Sequence, residues 1–570
     1  MKLLLPLAAL LATSTLVAQP VAGPATGPDF SPVRVKADVA FLADDLLEGR
    51  GTGTRGFDIG ARYVASQFAA AGLQPGAKDG GWFQPVTLSE TRLEGPASLT
   101  ITPKSGAPVV WQHASEAIVS PSQRDTRTDV SAPLVFAGFG IDAPKQGLDD
   151  YAGLDVKGKI VVVLTGIPKG PPDEVLAHLG TQKAQMAAAR GAIGMISVPT
   201  LQSARLRPWE KLQSTASVPR MTWVEPDGTP HVGAPGIKGS ASVSSAAAEV
   251  IFAGAPTPLK TVLARADAQG GRPKGFALPA SARIEATSAL RTVTSSEIVG
   301  RLEGSDPALK AEHVVLMAHL DHLGIRTDKT GDNIYNGALD NAAGVAVMLE
   351  VARAFGSDAT RPKRSLLFVA NTAEEKGLLG AEAFANNPSV PIENIASVVD
   401  LDQPLLLYPF TDVIAFGGDH STMGEAISRA VAKAGVTLSP DPMPAETIFV
   451  RSDHYTFVKR GVPALLLATG FANGGKAAWE HFLSTDYHQP SDDMSQPIDW
   501  DAAAKYARVG YLISSEIANG ATRPRWYEGD YFGQTFAPAS PKVPRGAEAS
   551  VVARGAKASV VARGATGGTK

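Results

Sequence analysis

The chain has 570 residues, 44% of them hydrophobic and 19% charged, which supplies several packed cores and leaves too little charge for extended disorder. Lys and Arg total 53 against 56 Asp and Glu, a net charge of -3 that excludes a general attraction to nucleic acid or to an anionic membrane. Cysteine is absent, which excludes disulfides, thiolate metal sites and a Cys nucleophile.

The first stretch, "MKLLLPLAALLATSTLVAQP", carries one Lys, a short apolar core and a small residue at Ala18. Residues 1–22 therefore read as a secretory signal peptide cleaved near Ala18 or Ala22, too short in its apolar part for an anchor. No later stretch is long and apolar enough to span a bilayer, so the expectation is an exported protein, periplasmic or secreted, with no membrane span once the leader is removed. "VRVKADVAFLADDLLEGR" and "GFDIGARYVASQFAAAGL" have helical periodicity and assign 30–81 to two helices joined by the Gly-rich "GTGTR". From 82 to 256 the texture changes to short β-type runs such as "PLVFAGFG", "GKIVVVLTG" and "GAIGMISV", with one helix at "TQKAQMAAARGA".

From 275 to 537 strands alternate with helices: "HVVLMAH", "AAGVAVMLEVARAF", "RSLLFVANT", "GLLGAEAFAN", "IASVVDLD", "TMGEAISRAVAKAG", "VPALLLATG" and "DAAAKYARVGYLISSEIAN". That alternation predicts an α/β fold with a mostly parallel sheet, to which the first two helices return around an inserted β-rich domain. The end, 538–570, repeats a short Ala-, Gly- and Val-rich unit in "ASVVARGAKASVVARGAT". Two units cannot bury a core, so this segment reads as a flexible tail.

In an open α/β sheet, function sits beyond the carboxyl ends of the strands, and several predicted strand ends here carry acids or His. "HVVLMAHLDHLG" ends in His319, Asp321 and His322; imidazole is a good zinc ligand, and a nearby carboxylate can hold its other nitrogen. Asp340, in "NGALDNAAG", is either a helix N-cap or a carboxylate bridging two metals. Glu374 and Glu375 in "ANTAEEKGLLG" are either solvated loop acids or a water-holding acid beside a ligand. Asp400 and Asp402 in "SVVDLDQ" share one strand face and repel unless a cation or proton joins them. His488 lies in a Pro-bounded loop, and Asp453 and His454 just precede a strand; each His taken singly reads as a surface residue.

Each ordinary reading stands alone, but together they require several strand ends of one sheet to bear costly polar groups by accident. "AHLDHLG", "GALDNAAG", "AEEKGLLG", "DLDQ", "SDHYTFVKRGVPA" and "YHQPSDD", in that order over about 295 to 520, resemble the co-catalytic di-zinc aminopeptidases. That clan also includes glutamate carboxypeptidase, glutaminyl cyclase and transferrin receptor. "DDYAGLDVKGKIVVVLTG" resembles the protease-associated domain inserted in many of these enzymes. The resemblance implies a three-layer α/β/α zinc exopeptidase fold and two Zn2+ ions. It places His319 and Asp402 on one ion, Glu375 and His488 on the other, and Asp340 across both. It also implies that Asp321 orients His319 and that Glu374 is the general base for a metal-bridging hydroxide attacking peptide substrates. His322 and Asp400 match no role in the resemblance and read as polar support.

Other readings of the same scaffold predict different features. A carboxypeptidase needs cations for the substrate's terminal carboxylate, and "GVPALLLATGFANGG" contains no Arg or Lys, though Arg451 and Lys459 lie close by. A glutaminyl cyclase works with one zinc, and a receptor-like binding protein loses ligands; all five positions are kept here.

Overall fold

The computed structural model describes residues 28–327, 330–358 and 360–546. The leader read at 1–22 lies outside the described residues, and so do 547–570 of the expected tail.

Two sheets share one strand. Phe276–Leu302 is 27 residues long, and its two halves belong to different layers. Its first half pairs antiparallel with Ser98–Pro103 on one side and Arg127–Phe136 on the other. From Arg127–Phe136 that sheet continues in parallel through Ile160–Leu164, Gly194–Val198 and Gly239–Val243. The second half pairs antiparallel with Phe83–Leu93 and Ser365–Asn371 in the larger sheet. A single continuous strand thus couples the inserted domain to the larger sheet, although each half closes its own hydrophobic cluster.

The boundaries read at 82 and 256 shift accordingly. Phe83–Leu93 and its partner Arg220–Trp223 extend the larger sheet. In the other direction, Leu259, Val262 and Ala266 of helix Leu259–Asp267 pack in the core of the inserted domain. Local texture cannot assign these segments, because a half-buried antiparallel strand looks the same in either sheet.

The centre of the larger sheet is parallel, in the order Ser365–Asn371, His313–His319, Ile395–Asp400, Ala464–Thr469. All four strands are buried along their whole length, as expected where helices cover both faces. Asp412–Phe416 closes this side antiparallel to Ala464–Thr469. Helices Pro32–Leu42, Ala343–Ser357, Met423–Ala434 and Trp500–Asn519 pack on one another over the sheet, while Leu379–Asn386 and His454–Val458 form a second helical group. This is the expected three-layer arrangement.

The N-terminal helices return to it through buried charge. Glu350 is fully buried on helix Ala343–Ser357 and accepts from Arg34 Nε at 3.0 Å, while Arg353 donates to Asp38 at 2.6 Å. Of the tail expected from 538, residues 538–546 are held: Val543 bonds Trp526 and Glu528 through its backbone, and Arg545 lies over the Tyr527 ring. Among the described residues no helix is long and apolar enough to cross a membrane.

Candidate metal centre

The parallel strands all point their carboxyl ends at one place. His319 closes His313–His319, Glu374 and Glu375 follow Ser365–Asn371, and Asp402 follows Ile395–Asp400. Asp340 arrives from the turn that starts helix Ala343–Ser357, and His488 from the loop after Gly475–Thr485. The turn sits deep because Gly344 has no side chain: a Cβ there would lie 2.1 Å from the Leu401 carbonyl oxygen. Asn341 completes the joint, accepting from Gly344 N at 3.0 Å and Gln403 N at 3.1 Å.

Five of the predicted residues converge. His319 Nε2 lies 3.0 Å from Asp402 Oδ1 and 3.2 Å from Asp340 Oδ1. His488 Nε2 lies 3.2 Å from Asp340 Oδ2 and 3.2 Å from Glu375 Oε2. Asp340 therefore turns one oxygen to each imidazole. Ligand atoms on a tetrahedral zinc with arms of about 2.0–2.1 Å stand roughly 3.3–3.4 Å apart, so these spacings fit nitrogen and oxygen ligands of a small divalent cation. The charges agree. Burial works against a proton on His488, yet Asp340 and Glu375 push its pKa up to about 10. Burial likewise disfavours His319 as a cation, but Asp402, Glu374 and Asp340 hold it well above its ordinary value. So much carboxylate in one buried place calls for positive charge, which a metal ion supplies.

The partly buried carboxyl of Glu374 lies beside this cluster and is pushed well up by burial, then by Asp402, Glu375 and Asp453, against the pull of His319. Its position is set by its backbone, whose N–H donates to Asp321 Oδ1 at 3.1 Å. Asp321 differs from expectation in one respect. The partner of His319 Nδ1 is the backbone oxygen of Asp321, at 2.9 Å, while the Asp321 carboxylate takes Thr52 Oγ1 and Glu374 N–H instead. The chain leaves its strand at Leu320 and brings the carbonyl round first, so the carboxylate is free to brace the next loop.

Sequence reasoning missed the residues that hold the loops. Asp492, within the quoted "YHQPSDD", accepts from Leu339 N at 2.8 Å and Asp340 N at 3.0 Å, and burial pushes its pKa up to about 6. Arg50 is fully buried and donates to the backbone oxygens of Leu320, Asn336 and Gly337 at 2.8, 2.6 and 3.0 Å. Burial lowers its pKa to about 10 against the support of Asp492, Asp321 and other nearby acids. Ser452 Oγ stands 2.7 Å from Asp402 Oδ2 and 3.0 Å from Asp400 Oδ2. His454, read as a surface residue, is buried behind Asp400, with its Nδ1 3.3 Å from Oδ2. A Ser or Asp inside a quoted motif was the available signal for Ser452 and Asp492; Arg50 carried none.

A cavity of about 1120 Å³ lies elsewhere, lined by Glu174, His420, Arg429, Asp441, Asp530 and Phe532 among others and by none of the convergent residues. Lys459 is paired with Glu382 at 2.6 Å and Arg451 with Glu446 at 3.0 Å.

Comparisons with known proteins follow the same division. Residues 297–513 match peptidase family M28 and residues 130–235 match the PA domain. Over 66 residues the chain is 44% identical to a "Probable zinc metalloprotease" of Pyrenophora tritici-repentis, covering 12% of this chain and 15% of that protein. Over 116 residues it is 34% identical to the alkaline phosphatase isozyme conversion protein of Escherichia coli, covering 19% of this chain and 32% of that one. These alignments thus span less than a third of either curated relative. Among solved structures, an aminopeptidase from Aneurinibacillus sp. strain AM-1 aligns with a TM-score of 0.49 at 18% identity, over 87% of this chain and 95% of that one. The match to peptidase family M28 thus covers residues 297–513, with the match to the PA domain upstream of it.

Proposed function

We propose that the protein is an exported zinc aminopeptidase that holds two zinc ions and removes N-terminal residues from peptides. One observation carries the reading: Asp340 presents separate oxygens to His319 and His488, and each imidazole faces a second carboxylate, Asp402 or Glu375, at 3.0–3.2 Å. In this reading His319 and Asp402 hold one ion, Glu375 and His488 the other, and Asp340 both. When bound, zinc at these positions polarises a scissile carbonyl and acidifies water. Glu374 accepts the proton of the attacking water and returns it to the leaving amine. The surrounding acids attract a free α-amine, which brings the first peptide bond to the cluster.

Two observations support this reading over its rivals. Two cations near the segment where a carboxypeptidase would carry basic residues, Arg451 and Lys459, are engaged by Glu446 and Glu382. All five expected donors converge, which a receptor-like scaffold would not require. The fungal relative named as a probable zinc metalloprotease agrees in class.

The experiment is a metal analysis followed by a peptide panel. The purified protein should carry close to two zinc ions, lose activity to a chelator and regain it with zinc or cobalt. Leu-terminated peptides should release their first residue, apolar residues preferentially, and their N-acetylated forms should resist. Full activity in metal-free protein ends the proposal. Release from the carboxyl end overturns the direction of cleavage. N-terminal sequencing of the protein recovered from periplasm and medium tests export.

A further inference from the structure

His322 lies beside the cluster; the sequence reading takes it as polar support without naming what it supports, and the proposed function gives it no part. Its ring is wholly buried, and its Nδ1 stands 2.6 Å from Glu375 Oε1. Asp340 Oδ2 is farther, at 4.0 Å. Gly337 closes over the ring: a Cβ at that glycine, which has φ +58°, would lie 2.6 Å from His322 Cγ. The imidazole is therefore fixed in position, although in its present rotation neither nitrogen makes an aligned hydrogen bond.

The two outer carboxylates of the cluster follow one plan. Asp402 turns Oδ1 to His319, and Ser452 Oγ lies 2.7 Å from its Oδ2. Glu375 turns Oε2 to His488, and His322 Nδ1 lies against its Oε1. In each case one oxygen faces the cluster and a buried polar side chain lies at the other: the Ser452 hydroxyl donates to Asp402 Oδ2, and the His322 ring stands against Glu375 Oε1, close but not aligned. Asp340, which uses both oxygens, is held through its backbone N–H by Asp492.

Resting on the proposed metal site, we propose that His322 is a positioning residue that holds Oε1 of Glu375 by its Nδ1–H and so keeps Oε2 turned to the cation. His322, Asp340 and Glu375 also stand close enough together to hold a cation, and the spacing favours positioning over ligation. Two ligand atoms of one tetrahedral zinc stand roughly 3.3–3.4 Å apart, whereas 2.6 Å is the length of a close charge-assisted contact. Partners of this kind fix ligand orientation, and removing one typically costs about 10–100-fold in metal affinity.

The test is zinc binding, measured by competition with a chromophoric chelator for the full chain and for His322→Phe and His322→Asn. Phe keeps the ring volume and loses the donor; the Asn amide nitrogen can stand where Nδ1 stands. The expected result is that His322→Phe weakens one of the two ions by about 10–100-fold and leaves the other unchanged. His322→Asn should recover most of that loss. Wild-type affinity for both ions in His322→Phe overturns the inference, as does an Asn variant no better than Phe, which would make the imidazole itself a ligand. A wild-type chain that binds no zinc removes the metal reading and this inference together, so the two failures are told apart by the wild-type titration.

Discussion

Glu374 and Glu375 are adjacent, yet their side chains meet different neighbours. Glu375 lies between His322 and His488, whereas Glu374 is placed by the bond from its N–H to Asp321. The separation depends on the backbone: Ala373, just before the pair, has φ +56°, and Gln403 after Asp402 and His488 itself are also left-handed, at +48° and +57°. Such conformations cost about 1–2 kcal/mol per non-Gly residue and persist where the surroundings over-determine them. The two acids should therefore fail differently. Glu374→Gln should lower turnover ~10²-fold or more with zinc content unchanged, since Gln cannot accept a proton. Glu375→Gln should lower zinc affinity instead. Side-by-side metal analysis and kinetics decide it, and equal zinc loss in both variants would exchange or erase the roles.

Among the elements, the N-terminal helices matter to the site through the turn between them. Arg50 ends the short helix Asp45–Arg50 and joins the Leu320 carbonyl, just past the strand that ends in His319, to the Asn336–Gly337 turn. Thr52, two residues on, donates to Asp321 at 2.9 Å. Arg50→Met leaves several buried carbonyl oxygens without a donor, and the expected loss of stability is roughly 3–5 kcal/mol. Arg50→Lys should lose less, because an ammonium reaches some of the same acceptors. Denaturant unfolding of both variants in chelator, where bound metal cannot mask the effect, measures the difference. Stability equal to wild type in the Met variant would show that water replaces the guanidinium.

At the scale of the whole molecule, the PA domain meets the catalytic layers through helix Glu174–Thr181. Its Glu174 lies 3.1 Å from His420 Nε2, while Asp530 lies 2.6 Å from Nδ1. Its His178 Nδ1 lies 2.7 Å from the Tyr455 hydroxyl, with its pKa lowered to about 4 by burial. Burial opposes a charge on His420 as well, but Asp530 and Glu174, helped by Asp419, hold its pKa well above the ordinary value. A raised folded pKa contributes stability that is complete below about pH 6.5 and is lost as pH rises through the folded value. Thermal midpoints should therefore fall on the alkaline side, and His420→Gln should flatten that fall; an unchanged slope would place the pH dependence elsewhere. The C-terminal segment divides similarly. Ending the chain after residue 546 should leave midpoint and turnover unchanged. Ending it after 537 removes the two backbone bonds of Val543, each contributing about 0.5–1.5 kcal/mol, and should lower the midpoint. Equal midpoints for the two truncations would show that this docking contributes nothing.

The amino-acid sequence by itself determined the alternation of strands and helices, and with it where strand ends would gather. Acids and imidazoles at those ends were legible because charge at the edge of an apolar run is costly without a partner. Only the tertiary structure decided how each group is turned. The contacts of Arg50 with Asn336 and of Asp492 with Asp340 cross 286 and 152 residues, and no local period encodes them. The strand Phe276–Leu302 gave no sign that its halves belong to two sheets, because alternating burial looks alike in both. Which oxygen of Asp402 or Glu375 faces the cluster is set by Ser452 and His322, through packing at ångström precision. Sequence pattern carries residue type and period; rotation of a carboxylate is a property of the assembled fold.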